Sequence, residues 1–89
     1  MKVGGLPANR TVNGFAVDPV NSKIMYAALR DGLFKSTDAG KTWTSLGKEL
    51  KNLAAVAVNP KRPSEIYAAT AQGVIFKSAD EGIKWERQQ

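Results

Sequence analysis

Ser36-Thr37-Asp38-Ala39-Gly40-Lys41-Thr42-Trp43 occurs a second time in this chain, as Ser78-Ala79-Asp80-Glu81-Gly82-Ile83-Lys84-Trp85. Both octapeptides read S-x-D-x-G-x-x-W, where x is a variable position. The segments before them repeat in step, because Phe15-Ala16-Val17-Asp18-Pro19 corresponds to Val56-Ala57-Val58-Asn59-Pro60, 41 residues later. Such a period is typical of folds in which each unit stacks on a neighbour to bury its apolar faces.

The repeat covers almost the whole chain. Ile24-Met25-Tyr26-Ala27-Ala28 corresponds to Glu65-Ile66-Tyr67-Ala68-Ala69, and Gly32 corresponds to Gly73. The offset then becomes 42, because the second copy carries one extra residue before its serine, and it stays at 42 as far as the two tryptophans. We therefore divide the chain into residues 1–48, which hold the first unit and an N-terminal extension, and residues 49–89.

Each unit contains four short runs of strand-forming residues separated by turn residues. In the first unit the predicted strands are 12–18, 23–29, 33–36 and 42–46; in the second they are 53–59, 65–70, 74–78 and 84–87. Proline after Asp18 and Asn59 ends the first strand of each unit, and Asp31-Gly32 and Gln72-Gly73 suit tight hairpins. The sequence predicts an all-β fold of two four-stranded antiparallel sheets.

Two further expectations concern the strand positions. The first strands are rich in small and β-branched residues without polar alternation, which predicts innermost strands covered on both faces. The fourth strands carry charges such as Lys84 and Glu86, which predicts exposed outer edges. Helix is the competing prediction for residues 47–58, where apolar residues fall at helical spacing. The corresponding residues 6–17 contain Pro7 and Gly14, which disfavour it.

Composition limits the partners and cofactors. The chain has 89 residues without Cys or His, so it has neither a disulfide nor a thiolate or imidazole metal ligand. A lone domain of this size buries roughly 60 to 65 % of the surface that its unfolded chain exposes, so its stability would be marginal. The net charge is +5, but the 13 Lys and Arg residues are spread along the chain, so nucleic acid is an unlikely partner. We expect no signal peptide and no membrane span. The composition does not indicate a compartment.

The octapeptide suits a structural loop. In each copy the serine and aspartate can accept bonds from backbone N–H groups, the glycine permits an unusual backbone conformation, and the tryptophan can pack beneath the loop. The eight residues are Ser36, Asp38, Gly40, Trp43, Ser78, Asp80, Gly82 and Trp85. A calcium loop is the alternative, but one or two acids per loop supply few ligands. We predict no metal and no cofactor.

These motifs resemble the Asp-box, or BNR, repeat of sialidases, sortilin-type receptors, xyloglucan-degrading glycosidases and photosystem II assembly-factor-like proteins. The resemblance covers residues 12 to 88. It implies that each unit is a β-propeller blade and that the box is the turn between its third and fourth strands. In that family the box lies away from the active sites and occurs in enzymes and non-enzymes alike.

No catalytic residue can be carried over from the resemblance. Arg10, Arg30, Arg62 and Arg87 do not occupy equivalent positions that would suggest the arginine triad of sialidases. The carboxylates of Asp18, Asp31 and Glu65 could form a glycan-processing site only if assembly repeated them around a ring. We therefore predict a protein that is not an enzyme.

Two blades do not close a propeller, since a ring needs about four to eight of them. We expect the chain to form head-to-tail homo-oligomers, with a trimer of six blades preferred and a tetramer of eight as the alternative. The leading hypothesis is a structural or binding scaffold for a protein or glycan. A glycosidase-like propeller, active only when assembled, is the alternative, and attraction of acidic partners by the basic surface is a weaker one. A fragment of a longer propeller and a reconstructed repeat protein fit the same pattern.

Overall fold

The computed structural model describes residues 12–30, 32–46 and 50–88, which form two four-stranded antiparallel sheets. The first sheet contains β1 (Val12–Val17), β2 (Met25–Leu29), β3 (Gly32–Ser36) and β4 (Thr44–Leu46). The second contains β5 (Leu53–Asn59), β6 (Arg62–Thr70), β7 (Ile75–Ser78) and β8 (Glu86–Arg87). The all-β prediction is therefore confirmed. The N-terminal extension, Asp31 and residues 47–49 lie outside the described residues.

Both sheets are meanders in which each strand pairs with the next one along the chain. The hairpin glycines have positive φ, 144° at Gly32 and 89° at Gly73, and residues with a Cβ rarely adopt such a conformation. The registers of the two sheets correspond: Tyr26 pairs with Lys35 in the first, and Tyr67 pairs with Lys77 in the second. Each first strand also contains a bulge at the same place, after Val12 and after Leu53.

The helical alternative for residues 47–58 is wrong over the residues that the structure describes. Leu53–Asn59 is a strand that pairs with β6 along its length. Pairing satisfies the backbone of this segment, and the alternation of strand side chains places Val56 in the core while Ala55 and Ala57 remain exposed. Tertiary contacts therefore outweigh the helical spacing of its leucines and alanines.

The second strand of the second unit begins earlier than predicted, at Arg62 rather than Glu65. Lys61 N donates to Asn59 Oδ1 over 2.9 Å, and Asn59 pairs with Arg62, so the chain reverses directly at Pro60. The first unit turns more slowly at the equivalent place, where Asp18 Oδ1 accepts from Val20 N and Asn21 N over 2.8 and 3.1 Å. Both residues before proline are turn formers, as predicted.

The two sheets pack on each other through one face of each, and their side chains form a common core. Its buried members are Tyr26, Ala28, Leu33, Leu50, Leu53, Val56, Ile66 and Ala68. The closest approach is between the first strands, where a Cβ built on Gly14 would lie 2.8 Å from Ala55 Cα. Asn13 Nδ2 also donates to Leu53 O over 3.0 Å. We call this contact between the sheets the junction.

The strand-position predictions have different outcomes. β4 and β8 pair with one neighbour each and are mostly exposed, so the prediction of outer edges is confirmed. Burial of the first strands on both faces is wrong, because Phe15 and Val17 of β1 are 42 and 40 % exposed and Ala55 and Ala57 of β5 are also exposed. The first strands do lie next to each other, but the described residues cover β1 fully on neither face.

Candidate functional site

The first octapeptide forms the turn between β3 and β4, and the side chain of Ser36 organises it. Ser36 Oγ donates to Asp38 Oδ1 over 2.8 Å and accepts from Gly40 N over 2.9 Å. Asp38 Oδ1 also accepts from Thr42 N over 2.9 Å, which links the start of the loop to its end. Trp43 Nε1 donates to Gly40 O over 3.0 Å, so the indole is fixed against the loop.

The second octapeptide repeats this hydrogen-bond pattern atom for atom between β7 and β8. Ser78 Oγ donates to Asp80 Oδ1 and accepts from Gly82 N, both over 2.8 Å. Lys84 N donates to Asp80 Oδ1, and Trp85 Nε1 donates to Gly82 O, both over 2.9 Å. The octapeptides are therefore equivalent in geometry as well as in sequence, and each loop is held by its own side chains.

Backbone conformation explains the glycine of each box. Gly40 and Gly82 have φ of 90° and 94°, a region that favours glycine. Gly82 has a second constraint, because an added Cβ would lie 2.7 Å from Cδ1 of Leu46 in the first sheet. The box of the second sheet is therefore part of the junction.

The boxes differ at one position that bears on charge. Thr42 Oγ1 donates to Asp38 Oδ2 over 2.5 Å, whereas lysine occupies the equivalent position 84. The side-chain hydrogen bond from Thr42, followed by its backbone N–H, lowers the pKa of Asp38 to about 2. The pKa of Asp80 is also lowered, chiefly by the backbone N–H of Lys84 and then by Ser78. Both carboxylates are thus held in the charged form that the loop requires.

This geometry gives the box aspartates little freedom to bind a cation. The Asp38 carboxylate accepts hydrogen bonds from Ser36 Oγ, Thr42 N and Thr42 Oγ1. Within the described ranges, no group of three or more acidic, Cys or His side chains could hold a metal ion. The structural interpretation stays our prediction for the eight residues, with the calcium loop as its alternative.

Two of the remaining candidate carboxylates, Asp18 and Glu65, bind groups in their own turns. Asp18 is buried and accepts the two turn N–H groups described above. Glu65 accepts from Asn59 Nδ2 over 3.1 Å and lies 3.8 Å from Lys77 Nζ and 3.6 Å from Arg62. The Asn59 hydrogen bond is the main reason why the pKa of Glu65 is lowered. Asp31 falls outside the described residues.

Beside the second box lies an open cleft of about 600 Å³. It is lined by Lys77, Asp80, Ile83, Lys84, Trp85 and Glu86, together with Ala79. Ile83 is 74 % exposed, and the cleft combines an indole ring with charges of both signs. Aromatic rings and charged groups at an open surface are suited to polar ligands such as a peptide or a sugar.

The most informative surface is the face of the second sheet that points away from the junction. It carries Ala55, Ala57, Tyr67, Ala69 and Ile75, which line an open apolar groove of about 250 Å³. By pairing register these residues are equivalent to Gly14, Ala16, Tyr26, Ala28 and Leu33 of the first sheet. We call them the open groove and the covered face, respectively.

The covered face shows how completely this surface is buried when another sheet packs on it. Tyr26, Ala28 and Leu33 are each 0 % exposed, whereas Ile75 of the open groove is 39 % exposed. Lys35 Nζ lies 5.7 Å from the centre of the Tyr26 ring and 3.7 Å from Glu81 Oε1 of the second sheet. An apolar centre with an ion pair at its edge is typical of a specific protein interface.

Sequence reasoning missed these junction residues. It identified the box residues because they are chemically distinctive, but Tyr26, Gly14 and Leu46 have no such signature. A signal was present in the alternation of Tyr26 with Ala28 and of Tyr67 with Ala69, which repeats at the offset of 41. Alternate strand residues share a face, so this pattern indicates one surface in each sheet. It does not indicate which of the two surfaces is covered.

Two meanders stacked through their first strands have the arrangement of neighbouring blades in a β-propeller. Several solved structures contain a part that is similar in fold to this chain. An ancestral GH74 enzyme matches 97 % of the chain with a TM-score of 0.82 and 24 % identity. The GH74 enzyme of Niastella koreensis matches 86 % with a TM-score of 0.77 and 31 % identity, and YCF48 from Cyanidioschyzon merolae matches 97 % with a TM-score of 0.76 and 18 % identity.

The chain corresponds to a small part of each of these proteins: 13 and 14 % of the two GH74 enzymes and 26 % of YCF48. No protein-family model and no curated protein matches it. The resemblance to propeller repeats of the GH74 and Ycf48 type is thereby confirmed at the level of the fold. No helix among the described residues is long and apolar enough to cross a membrane.

Proposed function

We propose that this chain is a non-catalytic β-propeller module that assembles head to tail with copies of itself into a closed ring. The observation that carries the proposal is the difference between the covered face and the open groove. The same apolar surface occurs in both sheets. In the first sheet the second sheet buries it, whereas in the second sheet it stays open. Exposed apolar surfaces of this kind mark association sites.

The ring is expected to contain whole pairs of blades, because each chain contributes two. Three chains would give six blades, which we prefer, and four chains would give eight. Head-to-tail contacts use unlike surfaces on the two partners, so that a ring forms when the rotation between neighbours closes. Assembly would supply the burial that 89 residues lack alone.

Within such a ring the chain would serve as a scaffold that binds a protein or a glycan. The cleft beside the second box supports this role, because it presents Trp85 and several charged side chains on an open surface. Ring symmetry would place three or four copies of the cleft around the assembly, and multivalent binding raises apparent affinity without any new contact. Glycan and peptide arrays probed with the assembled protein test this part of the proposal.

The deciding measurement for assembly is the native mass by light scattering on a sizing column. A mass near 29 kDa, three times the 9.6 kDa chain, supports the six-bladed ring, and a mass near 38 kDa, four times the chain, supports the eight-bladed ring. A mass of 9.6 kDa at all accessible concentrations contradicts self-assembly. The chain would then have to be understood as part of a larger propeller.

The similarity to GH74 enzymes, 31 % identical in one case, favours a second candidate: a glycan-processing propeller that is active only when assembled. The carboxylates of Asp18 and Glu65 argue against this candidate, because both already bind groups of the chain. Asp18 accepts a hydrogen bond in a turn, and Glu65 accepts one from Asn59 and pairs with Lys77. Release of reducing sugar from xyloglucan by the assembled protein would support it. Absence of turnover by a protein of ring mass would exclude it.

A further inference from the structure

The open groove and the exposed apolar residues of the edge strand β1 together point to the contact that joins two chains. In the junction, β5 packs on β1 and β2 of the first sheet, with Val56 in the common core. The residues of β1 that are equivalent to Leu53, Val56 and Val58 are Val12, Phe15 and Val17. These three are 37, 42 and 40 % exposed.

We propose that the open groove of one chain binds strand β1 of a second copy, with Phe15 and Val17 of that copy lying against Ala57 and Tyr67. This inference rests on the proposed self-assembly and deepens it by naming the two surfaces that meet. Its argument is continuity with the junction: the contact repeats a packing that the chain already makes once. It also removes Phe15 and Val17 of β1 and the apolar residues of the open groove from water.

The exposure of β1 fits this occupant in particular. On the side of the first sheet that points away from the junction, Ala27 and Leu29 of β2 are already buried, whereas Phe15 and Val17 of β1 are not. The most exposed apolar residues on this side of the sheet are therefore those of β1. The open groove lies on β5, β6 and β7 as the covered face lies on β1, β2 and β3, and the strand of the second sheet that contacts β1 and β2 at the covered face is the first strand, β5.

The contact between chains cannot be an identical copy of the junction. Ala55 takes the place of Gly14, so its Cβ would face the backbone of the incoming copy at a spacing that the junction allows only to glycine. Leu46 is replaced by Gln88 at the same pairing position, and Glu81 is replaced by Ala39, so Lys77 loses the ionic partner of Lys35. Lys77 instead lies 3.8 Å from Glu65 of its own sheet.

These replacements predict that the sheets at the interface between two chains lie further apart, and bind each other more weakly, than the two sheets at the junction. The two-sheet chain would therefore be the folding unit, and assembly would be a second, concentration-dependent step. Ring closure compensates for the weakness of each contact, because every chain is then held on both sides. The apolar contact decides the affinity, since an exposed ion pair contributes little to binding.

A mixing experiment with two arginine variants tests which surfaces meet. Ala57→Arg places a charge in the open groove and leaves β1 intact, and Val17→Arg places a charge on β1 and leaves the groove intact. Both positions are exposed in the single chain, so the fold is retained, as circular dichroism would verify. Ala71→Arg, at an exposed turn outside both surfaces, is the matched control.

Light scattering should show ring mass for the wild type and the Ala71→Arg control, and 9.6 kDa for each of the other two variants. At high concentration an equimolar mixture of Ala57→Arg and Val17→Arg should form a species near 19 kDa, twice the chain, because one intact groove then meets one intact β1. A wild type of 9.6 kDa contradicts self-assembly itself. A wild type of ring mass whose variants still assemble, or whose mixture remains monomeric, contradicts only the assignment of these surfaces.

Discussion

The covered face and the open groove are the same surface in two settings. Tyr26, Ala28 and Leu33 lie under the second sheet and are fully buried, while Tyr67, Ala69 and Ile75 occupy the same positions without a neighbour. The sequences of the two faces are nearly interchangeable, so burial here is decided by what lies opposite and not by residue type. Substitutions made in matched pairs can therefore separate the contribution of a residue from that of its neighbour.

The largest contrast is expected for the pair Leu33→Ala and Ile75→Ala. Truncating Leu33 leaves a cavity in the junction and should lower the free energy of unfolding by about 2–5 kcal/mol. Ile75 is 39 % exposed in the chain, so its truncation should cost roughly 1–2 kcal/mol. Urea denaturation at low protein concentration measures both. Equal losses would mean that the open groove is covered even in the dilute chain.

Gly14→Ala tests the close approach of the first strands. A methyl group at this position would lie 2.8 Å from Ala55 Cα, so β1 and β5 must separate, which we expect to cost about 1–3 kcal/mol. Gly73→Ala is the control for backbone strain alone, because φ is 89° there and no atom lies within 4 Å of the added methyl group. That variant should lose about 1 kcal/mol. A larger loss for Gly73→Ala would show that turn conformation matters more than strand spacing.

The contrast between the two faces also explains how much of this fold the sequence could predict. The strands and box loops follow from local rules: alternation, glycine at positive φ, and proline after a strand. The four-strand order and the position of the box were predicted on that basis, and the registers of the two sheets agree with the repeat. Even the early start of β6 has a local cause, because the Asn59 side chain accepts a hydrogen bond from Lys61 N in the turn. The sequence pattern alone does not reveal this hydrogen bond.

The junction could not be predicted, because it depends on distances between residues far apart in the chain. Gly14 differs from Ala55 by one methyl group, and nothing in the sequence says that glycine is needed there. The same holds for Leu46 against Gly82 and for Lys35 beside Glu81. The prediction that the first strands are covered on both faces failed for β1 and for β5 for a related reason. That prediction assumed that another sheet packs on each face of both first strands.

Acid pH should separate the two boxes. The pKa of Asp38 in the folded protein is about 2, below its ordinary value of 3.8, so this carboxylate stabilises the fold above pH 4 and loses that effect as the pH falls toward 2. Asp38→Asn should lower the thermal midpoint at neutral pH, and its difference from the wild type should shrink between pH 4 and pH 2. Asp80→Asn should behave in the same way with a smaller change, because lysine replaces the hydroxyl donor Thr42. Differences that do not depend on pH would contradict a role for the charge.

The smallest expected effect concerns the two tyrosine hydroxyls. The Tyr26 hydroxyl is buried and has no hydrogen-bond partner among the described residues, whereas Tyr67 Oη donates to Glu65 over 3.4 Å. Removing an unpaired buried hydroxyl relieves a desolvation cost, so Tyr26→Phe should be neutral or stabilising by up to about 1 kcal/mol, and Tyr67→Phe should be slightly destabilising.

Alkaline pH distinguishes Tyr26→Phe further. Burial, and then the nearby carboxylates of Glu81 and Asp18, raise the pKa of Tyr26 to about 12 from 10.0. A folded-state pKa above the unfolded value means that the Tyr26 hydroxyl ionises more readily in the unfolded chain, so the wild type loses stability as the pH rises from 10 toward 12. The informative quantity is the difference in stability between Tyr26→Phe and the wild type, because effects that both proteins share cancel in it. Tyr26→Phe should gain stability relative to the wild type from pH 10 to pH 12, and a constant difference would mean that water reaches the Tyr26 hydroxyl in the junction.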